Sequence, residues 1–200
     1  MPVFEKRRLL VGAASAVAAT GLMARMPGAL AQNPREQMRH KHFPNLSLVT
    51  HEGKDVRFYD HVLRDRKVVI NFTYTVCSNI CAPVTQNILE AQRLLGNLAK
   101  EIDFYSISLT PLDDDPAVLR AYMKVNHIGK GWTFLTGKPE NIEQIRRGLG
   151  FAQRTLEADA DISNHSGMLR IGNERLVSWG HASATTTGKA IARMIRFELS

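Results

Sequence analysis

The chemistry in this 200-residue chain centres on its two cysteines, Cys77 and Cys81, in the run Cys77-Ser78-Asn79-Ile80-Cys81. Lys67 to Tyr74, just before them, is β-branched and aromatic and reads as a buried central strand. Pro83 to Lys100, just after them, reads as a helix. Thiols at a strand–helix junction sit where open α/β sheets bind ligands, beyond the carboxyl ends of strands. The free N–H groups and dipole of a helix N-terminus favour the thiolate, which is both nucleophile and metal ligand. The spacing brings two sulfurs within reach of one disulfide or one shared ion. A structural disulfide is the bland alternative, but so short a loop gains little chain-entropy stabilisation. A thiol phosphatase loop is excluded, because Ala82-Pro83-Val84-Thr85-Gln86 supplies no Arg. The C-x-x-C redox motif is absent.

Seven histidines accompany the thiols. His40 and His42 fall in a polar linker, His51 and His61 near turns, and His127 near a helix end, all read as solvated. His181 follows Trp179-Gly180 and is read as lying away from the thiols. His165 stands in Asp161-Ile162-Ser163-Asn164-His165-Ser166, just before a strand. Two thiolates and one imidazole make a soft, low-coordinate set suited to Cu(I), with Cu(II) as a second state. Taken alone, a loop histidine is ordinary polar surface, so these residues leave its role open. Met168 reads as core.

Positioning these groups requires a layered sheet. Leu46–Thr50 and Val56–Tyr59 flank the turn signal His51-Glu52-Gly53-Lys54-Asp55 and predict an N-terminal β-hairpin. Strands are predicted at Lys67–Tyr74, Ile102–Leu109 and Trp132–Thr136, and helices at Pro83–Lys100, after Pro116, at Asn141–Leu149 and at Thr187–Phe197. Asp113-Asp114-Asp115-Pro116 reads as a helix cap with Pro at the first helical position, rather than as a metal site. A last hairpin is predicted from Ser166–Ile171 and Arg175–Trp179 about Gly172-Asn173-Glu174. Alternating strands and helices mean α/β, and the late hairpin makes the sheet mixed.

Lys6-Arg7-Arg8, the apolar run Leu9–Ala24, and Ala29-Leu30-Ala31 before Gln32 form an export signal of twin-arginine or Sec type. Cleavage after Ala31 is expected, with an uncleaved anchor as the alternative; the apolar run is shorter and weaker than the ~20 residues of a spanning helix. The rest divides into a linker, 32–45, and one domain, 46–200, placed in the periplasm or otherwise outside the cytoplasm. The net charge of +7 falls to +4 without residues 1–31. No dense basic run remains, which argues against a nucleic-acid partner and leaves membrane association open. Arg146-Arg147 and Arg64-Asp65-Arg66-Lys67 read as solvated faces.

Asn71 to Pro83, then Ser108 to Pro116, then Asn164-His165-Ser166, together resemble the Sco/SenC family over roughly Leu46 to Phe197. That resemblance implies a thioredoxin-like fold and a copper site made by Cys77, Cys81 and His165. It implies a metallochaperone that delivers copper to a cuproprotein client, such as a cytochrome c oxidase subunit. The alternative it carries is a thiol–disulfide oxidoreductase, with Cys77 and Cys81 as the redox-active residues and a thiol reductant as partner. Three positions depart from the family pattern. Ala82 intervenes before Pro83, Thr110 stands where Asp is usual before Pro111, and Asn164 replaces the Asp before the histidine.

Overall fold

The computed structural model describes residues 39, 42–75, 81–152, 155–160 and 167–200. Seven strands form one sheet: β1 (Ser47–Thr50), β2 (Asp55–Arg57), β3 (Lys67–Thr73), β4 (Asp103–Ser108), β5 (Trp132–Thr136), β6 (Met168–Asn173) and β7 (Ser178–Ser183). Their order is β2-β1-β5-β4-β3-β6-β7. β3, β4 and β5 run parallel, while β1–β2, β1–β5, β3–β6 and β6–β7 are antiparallel. The helices are α1 (Cys81–Leu95), α2 (Pro116–Val125), α3 (Pro139–Gly148), the short α4 (Leu156–Ala160) and α5 (Gly188–Leu199). The mixed α/β sheet and N-terminal hairpin are those expected.

β3 explains the layering. Its residues alternate between faces, and both faces are buried. Val69 joins the core beneath α1 and α5, with Ile88, Ala91, Ile191 and Ile195. Val68, Ile70 and Phe72 face the opposite core, with Ile142, Ile145 and Phe151. Burying each large apolar side chain contributes roughly 1.5–3 kcal/mol, so the central strand is rigidly held right up to its carboxyl end.

Four local expectations change. The predicted helix through Lys100 ends at Leu95, because Gly96 adopts a left-handed φ of 61° and the chain tightens into a 3₁₀ turn, Gly96–Glu101. The return strand of the first hairpin stops at Arg57, and Phe58–Leu63 form a π-helical turn whose Phe58 and Tyr59 are fully buried. The last hairpin turns at residues 174–177, not at Gly172-Asn173-Glu174. Gly172 lies inside β6 because a Cβ there would sit 2.2 Å from the Trp179 ring, a strand glycine imposed by close approach. The described end of the predicted linker docks on the domain. Phe43 is buried against Trp179, Asn45 binds Asp60, and Arg39 pairs with buried Glu174, which also receives the Tyr59 hydroxyl. Burial and the adjoining Glu174 carboxylate raise the Tyr59 pKa.

Candidate metal and dithiol site

β3 leaves the sheet at Thr73, and α1 opens at Cys81. Between them, Cys77 lies outside the described residues; so does the side chain of Cys81, though its backbone forms the first residue of α1. Pro83 falls in that first turn, as expected, since a helix start leaves its N–H groups unpaired. No acidic side chain lies in the first turn of α1, so nothing there opposes the positive end of its dipole.

The strand exit is pinned by a residue that the sequence reading misassigned. Asp113, Asp114 and Asp115 read together as a cap, but only Asp115 caps α2, accepting the N–H groups of Ala117 and Val118 at 2.7 and 2.8 Å. Asp114 is instead fully buried. Its carboxylate accepts the Thr75 hydroxyl, the Ser108 hydroxyl at 2.6 Å, the Thr110 hydroxyl at 3.0 Å and, more weakly, the Thr75 N–H at 3.4 Å. Only one aspartate can occupy the N-cap before Pro116. That left two to be placed, and the hydroxyls of Thr75, Ser108 and Thr110 at two neighbouring strand ends were the available signal for burying one of them. Thr110, where the family pattern has Asp, serves as a donor in this cluster.

The other flank belongs to the segment that precedes β6. His165 lies outside the described residues, but the chain on either side of it is anchored. Because β6 runs antiparallel to β3, with Leu169 opposite Asn71, the start of β6 lies at the carboxyl end of β3. Gly167 accepts the Ala184 N–H at 2.9 Å, and Ala184 in turn accepts the Asn87 side chain of α1 at 3.0 Å. Met168 packs against the core that contains Phe72, as predicted.

On the N-terminal side, α4 is held by Arg146, which was expected to be solvated but is buried. Its guanidinium makes a bidentate pair with Asp159 at 2.8 Å and 2.8 Å, a second with Glu143 at 2.8 and 2.9 Å, and donates to the Phe151 carbonyl at 2.9 Å. Arg147, half exposed, adds a contact to Asp159 at 2.8 Å. These arginines hold the Glu143 carboxyl below its ordinary pKa, Arg146 more strongly. A small cavity of about 130 Å³ between Leu109, Pro111 and Ile142 opens beside this network.

The described histidines stand apart. His51, half-buried rather than solvated, accepts the Phe134 N–H on Nδ1 at 3.2 Å, whereas His61 is exposed as expected, its Nδ1 accepting the Arg57 N–H at 2.7 Å. His181 lies against Phe151 and Arg170, opposite mid-strand residues, away from the end of β3. Among the described residues, no group of His, Cys, Asp or Glu could hold a metal ion. No described helix is long and apolar enough to cross a membrane.

No curated protein matches the chain in sequence. Solved structures share its fold. A SCO1/SenC family lipoprotein from Bacillus anthracis superposes with a TM-score of 0.63 at 20% identity, covering 79% of this chain and 95% of its own. ScoI from Bradyrhizobium japonicum, with copper bound, gives 0.59 at 20% identity, covering 76% and 96%. BsSco, a Sco-family cytochrome c oxidase assembly protein with a disulfide switch, gives 0.61 at 20% identity, covering 76% and 90%. The thioredoxin-like fold of these proteins is therefore the fold of this chain. The SCO1/SenC family model matches residues 34–199, nearly all of the described domain, and the chain belongs to that family.

Proposed function

We propose that this protein is an extracytoplasmic copper metallochaperone that holds copper through Cys77, Cys81 and His165 and passes it by ligand exchange to an apo-cuproprotein. A copper-binding subunit of cytochrome c oxidase is the client class that the family suggests. The observation that carries this reading is the antiparallel pairing of β3 with β6. It brings Thr75 and Gly167, the described flanks of Cys77 and His165, to one end of the sheet, and Asn87 of α1 reaches the Gly167 side through the Ala184 carbonyl. Copper is bound in ScoI of B. japonicum, and two thiolates with an imidazole suit Cu(I), with Cu(II) as the second state. The thiols must be deprotonated and reduced to bind, so redox state gates loading. Residues 1–31 are proposed to direct export, by cleavage or as an anchor, with residues up to 45 joining them to the domain.

A second reading is favoured by the disulfide switch of BsSco. One thiolate attacks a client disulfide, forms a mixed disulfide and releases one client thiol. The other attacks that mixed disulfide, closes the Cys77–Cys81 bond and frees the second client thiol; a thiol reductant then restores the pair.

The test is Cu(I) titration of reduced wild type and His165→Ala against a competing chelator. Stoichiometric binding that weakens at least tenfold in the variant supports the chaperone. Client-disulfide turnover that is indifferent to copper, with no stoichiometric binding, supports the oxidoreductase.

A further inference from the structure

We propose that Asp114 is a positioning residue for the dithiol, acting through Thr75 to fix the strand exit that leads to Cys77. The proposal rests on the reading of Cys77 and Cys81 as the working thiols.

Asp114 is a fully buried carboxylate, and no described cation pairs with it. Capping does not account for its burial, because Asp115 alone supplies the side-chain acceptor for α2. Its donors come from two strand exits. Ser108 ends β4, Thr110 lies in the turn beyond it, and Thr75 lies two residues past the end of β3. The turn beyond β4 is itself rigid: Asp113 and Asp114 N–H groups both bind the Thr110 carbonyl at 2.9 Å, and Thr110 N–H binds Ser108 Oγ at 3.0 Å. The Leu109 N–H binds the Thr73 carbonyl at 2.8 Å, so the sheet ladder holds β3 as far as Thr73. Past that point Asp114 takes over, gripping Thr75 by both its hydroxyl and its N–H.

Thr75 is two residues from Cys77 in sequence, and Cys81 opens α1. The run that bears both thiols is thus tethered at one end by a packed helix, and the Asp114 carboxylate helps to tether the other through Thr75. Loss of that carboxylate frees Thr75, and with it the approach of Cys77 to Cys81. Freeing one ordered backbone residue lowers the effective concentration of one thiol at the other by about tenfold.

The experiment is a redox titration of the full chain against dithiothreitol, following the dithiol–disulfide equilibrium of Cys77 and Cys81, for wild type, Asp114→Ala, Asp114→Asn, Thr75→Val and the double variant Asp114→Ala/Thr75→Val. Asp114→Ala and Thr75→Val should each shift the equilibrium toward the dithiol by about tenfold, and the double variant should go no further than Asp114→Ala. Asp114→Asn should recover most of the loss, because an amide nitrogen can donate to Thr75 Oγ1 while its oxygen still accepts from Ser108 and Thr110. Variants that unfold more easily while their equilibrium stays within about twofold of wild type would reduce Asp114 to a stability residue and overturn the proposal, as would an Asp114→Asn as impaired as the alanine. Should Asp114→Ala fail to fold, Thr75→Val alone decides between these outcomes. Copper titration of the same proteins separates the two claims. A wild type that binds no copper sinks the chaperone reading but leaves the redox shift standing; copper binding with an unmoved redox equilibrium does the reverse.

Discussion

Arg146→Met should be the most informative single change outside the thiols. The Arg146 side chain is 5% exposed and that of Asp159 7%, so both charges are largely out of water. Removing one partner of such a pair typically costs about 3–5 kcal/mol, because the other is left buried and uncompensated. Here the loss is softened. Arg147 still reaches Asp159 Oδ2, and Glu143 is 43% exposed and can return to solvent. Asp159 Oδ1 and the Phe151 carbonyl nevertheless lose the guanidinium. A net destabilisation of about 2–3 kcal/mol is expected from these opposing contributions, read as a lower urea midpoint at unchanged slope. Asp159→Asn should cost less, about 1–2 kcal/mol, since Arg146 keeps Glu143 and the Phe151 carbonyl. Its effect should be local. α4 has five residues, too few to persist without its tether. Limited proteolysis should therefore nick the chain between 152 and 167 in Asp159→Asn before global unfolding, and Cu(I) affinity should fall with it, because His165 follows α4 by a few residues. An Arg146→Met protein within about 0.5 kcal/mol of wild type, or an Asp159→Asn protein as protease-resistant as wild type, would show that the ion network does not brace this segment.

Gly172→Ala should destabilise by about 1–3 kcal/mol, since the new Cβ meets the Trp179 ring at 2.2 Å; a red-shifted, more quenchable Trp179 fluorescence with a lower melting temperature checks it. For pH, burial holds the His51 pKa below its usual 6.5 in the folded state. A depressed folded pKa means the unfolded chain takes up the proton first, so stability is full above about pH 6.5 and falls as pH drops toward the folded value. His51→Asn should flatten the urea midpoint between pH 7 and 5, while a slope unchanged by that substitution would remove His51 from the account. His181, also depressed by burial, should leave a residual slope of the same sign.

The fold was legible where local signals agreed with burial. Val68, Val69, Ile70 and Phe72 are β-branched or aromatic, and both faces of their strand are indeed covered. The Asp-Pro cap at Asp115-Pro116 announced one helix start, and the closing helix was expected from Thr187, which proves to be its N-cap. What was not legible depended on partners far away in sequence. Gly172 looked like a turn residue because Trp179, which forbids it a side chain, lies across the hairpin. Arg146-Arg147 looked like a solvated pair because the acid that buries the first, Asp159, belongs to a helix too short to show in the periodicity. Phe43 looked like linker because its aromatic partner, Trp179, is more than a hundred residues on. The candidate site followed the same rule. The cysteine pair was visible as a motif, whereas the carboxylate behind it needed three hydroxyls from two strand exits.

The departure at Thr110 takes on a different meaning in this light. As a sequence feature, it removes a carboxylate from the neighbourhood of the thiols and raises a question about site charge. In the fold, a carboxylate is still present one helical turn's distance along the chain, at Asp114, and Thr110 is one of the groups that satisfy it. A buried carboxylate without partners is expensive, and with no described cation in an ion pair with it the hydroxyls of Thr75, Ser108 and Thr110 are what satisfy Asp114. A hydroxyl donor at 110 fits this arrangement. The two flanks of the proposed site are accordingly braced by different chemistry: hydroxyls on a buried carboxylate at the β3 exit, and arginines on a buried carboxylate ahead of β6. Neither brace shares a residue with the other. Changes at Asp114 and Asp159 should therefore act independently on the fold, and a coupling between them that appears only when copper is added would support the proposed shared site of Cys77, Cys81 and His165.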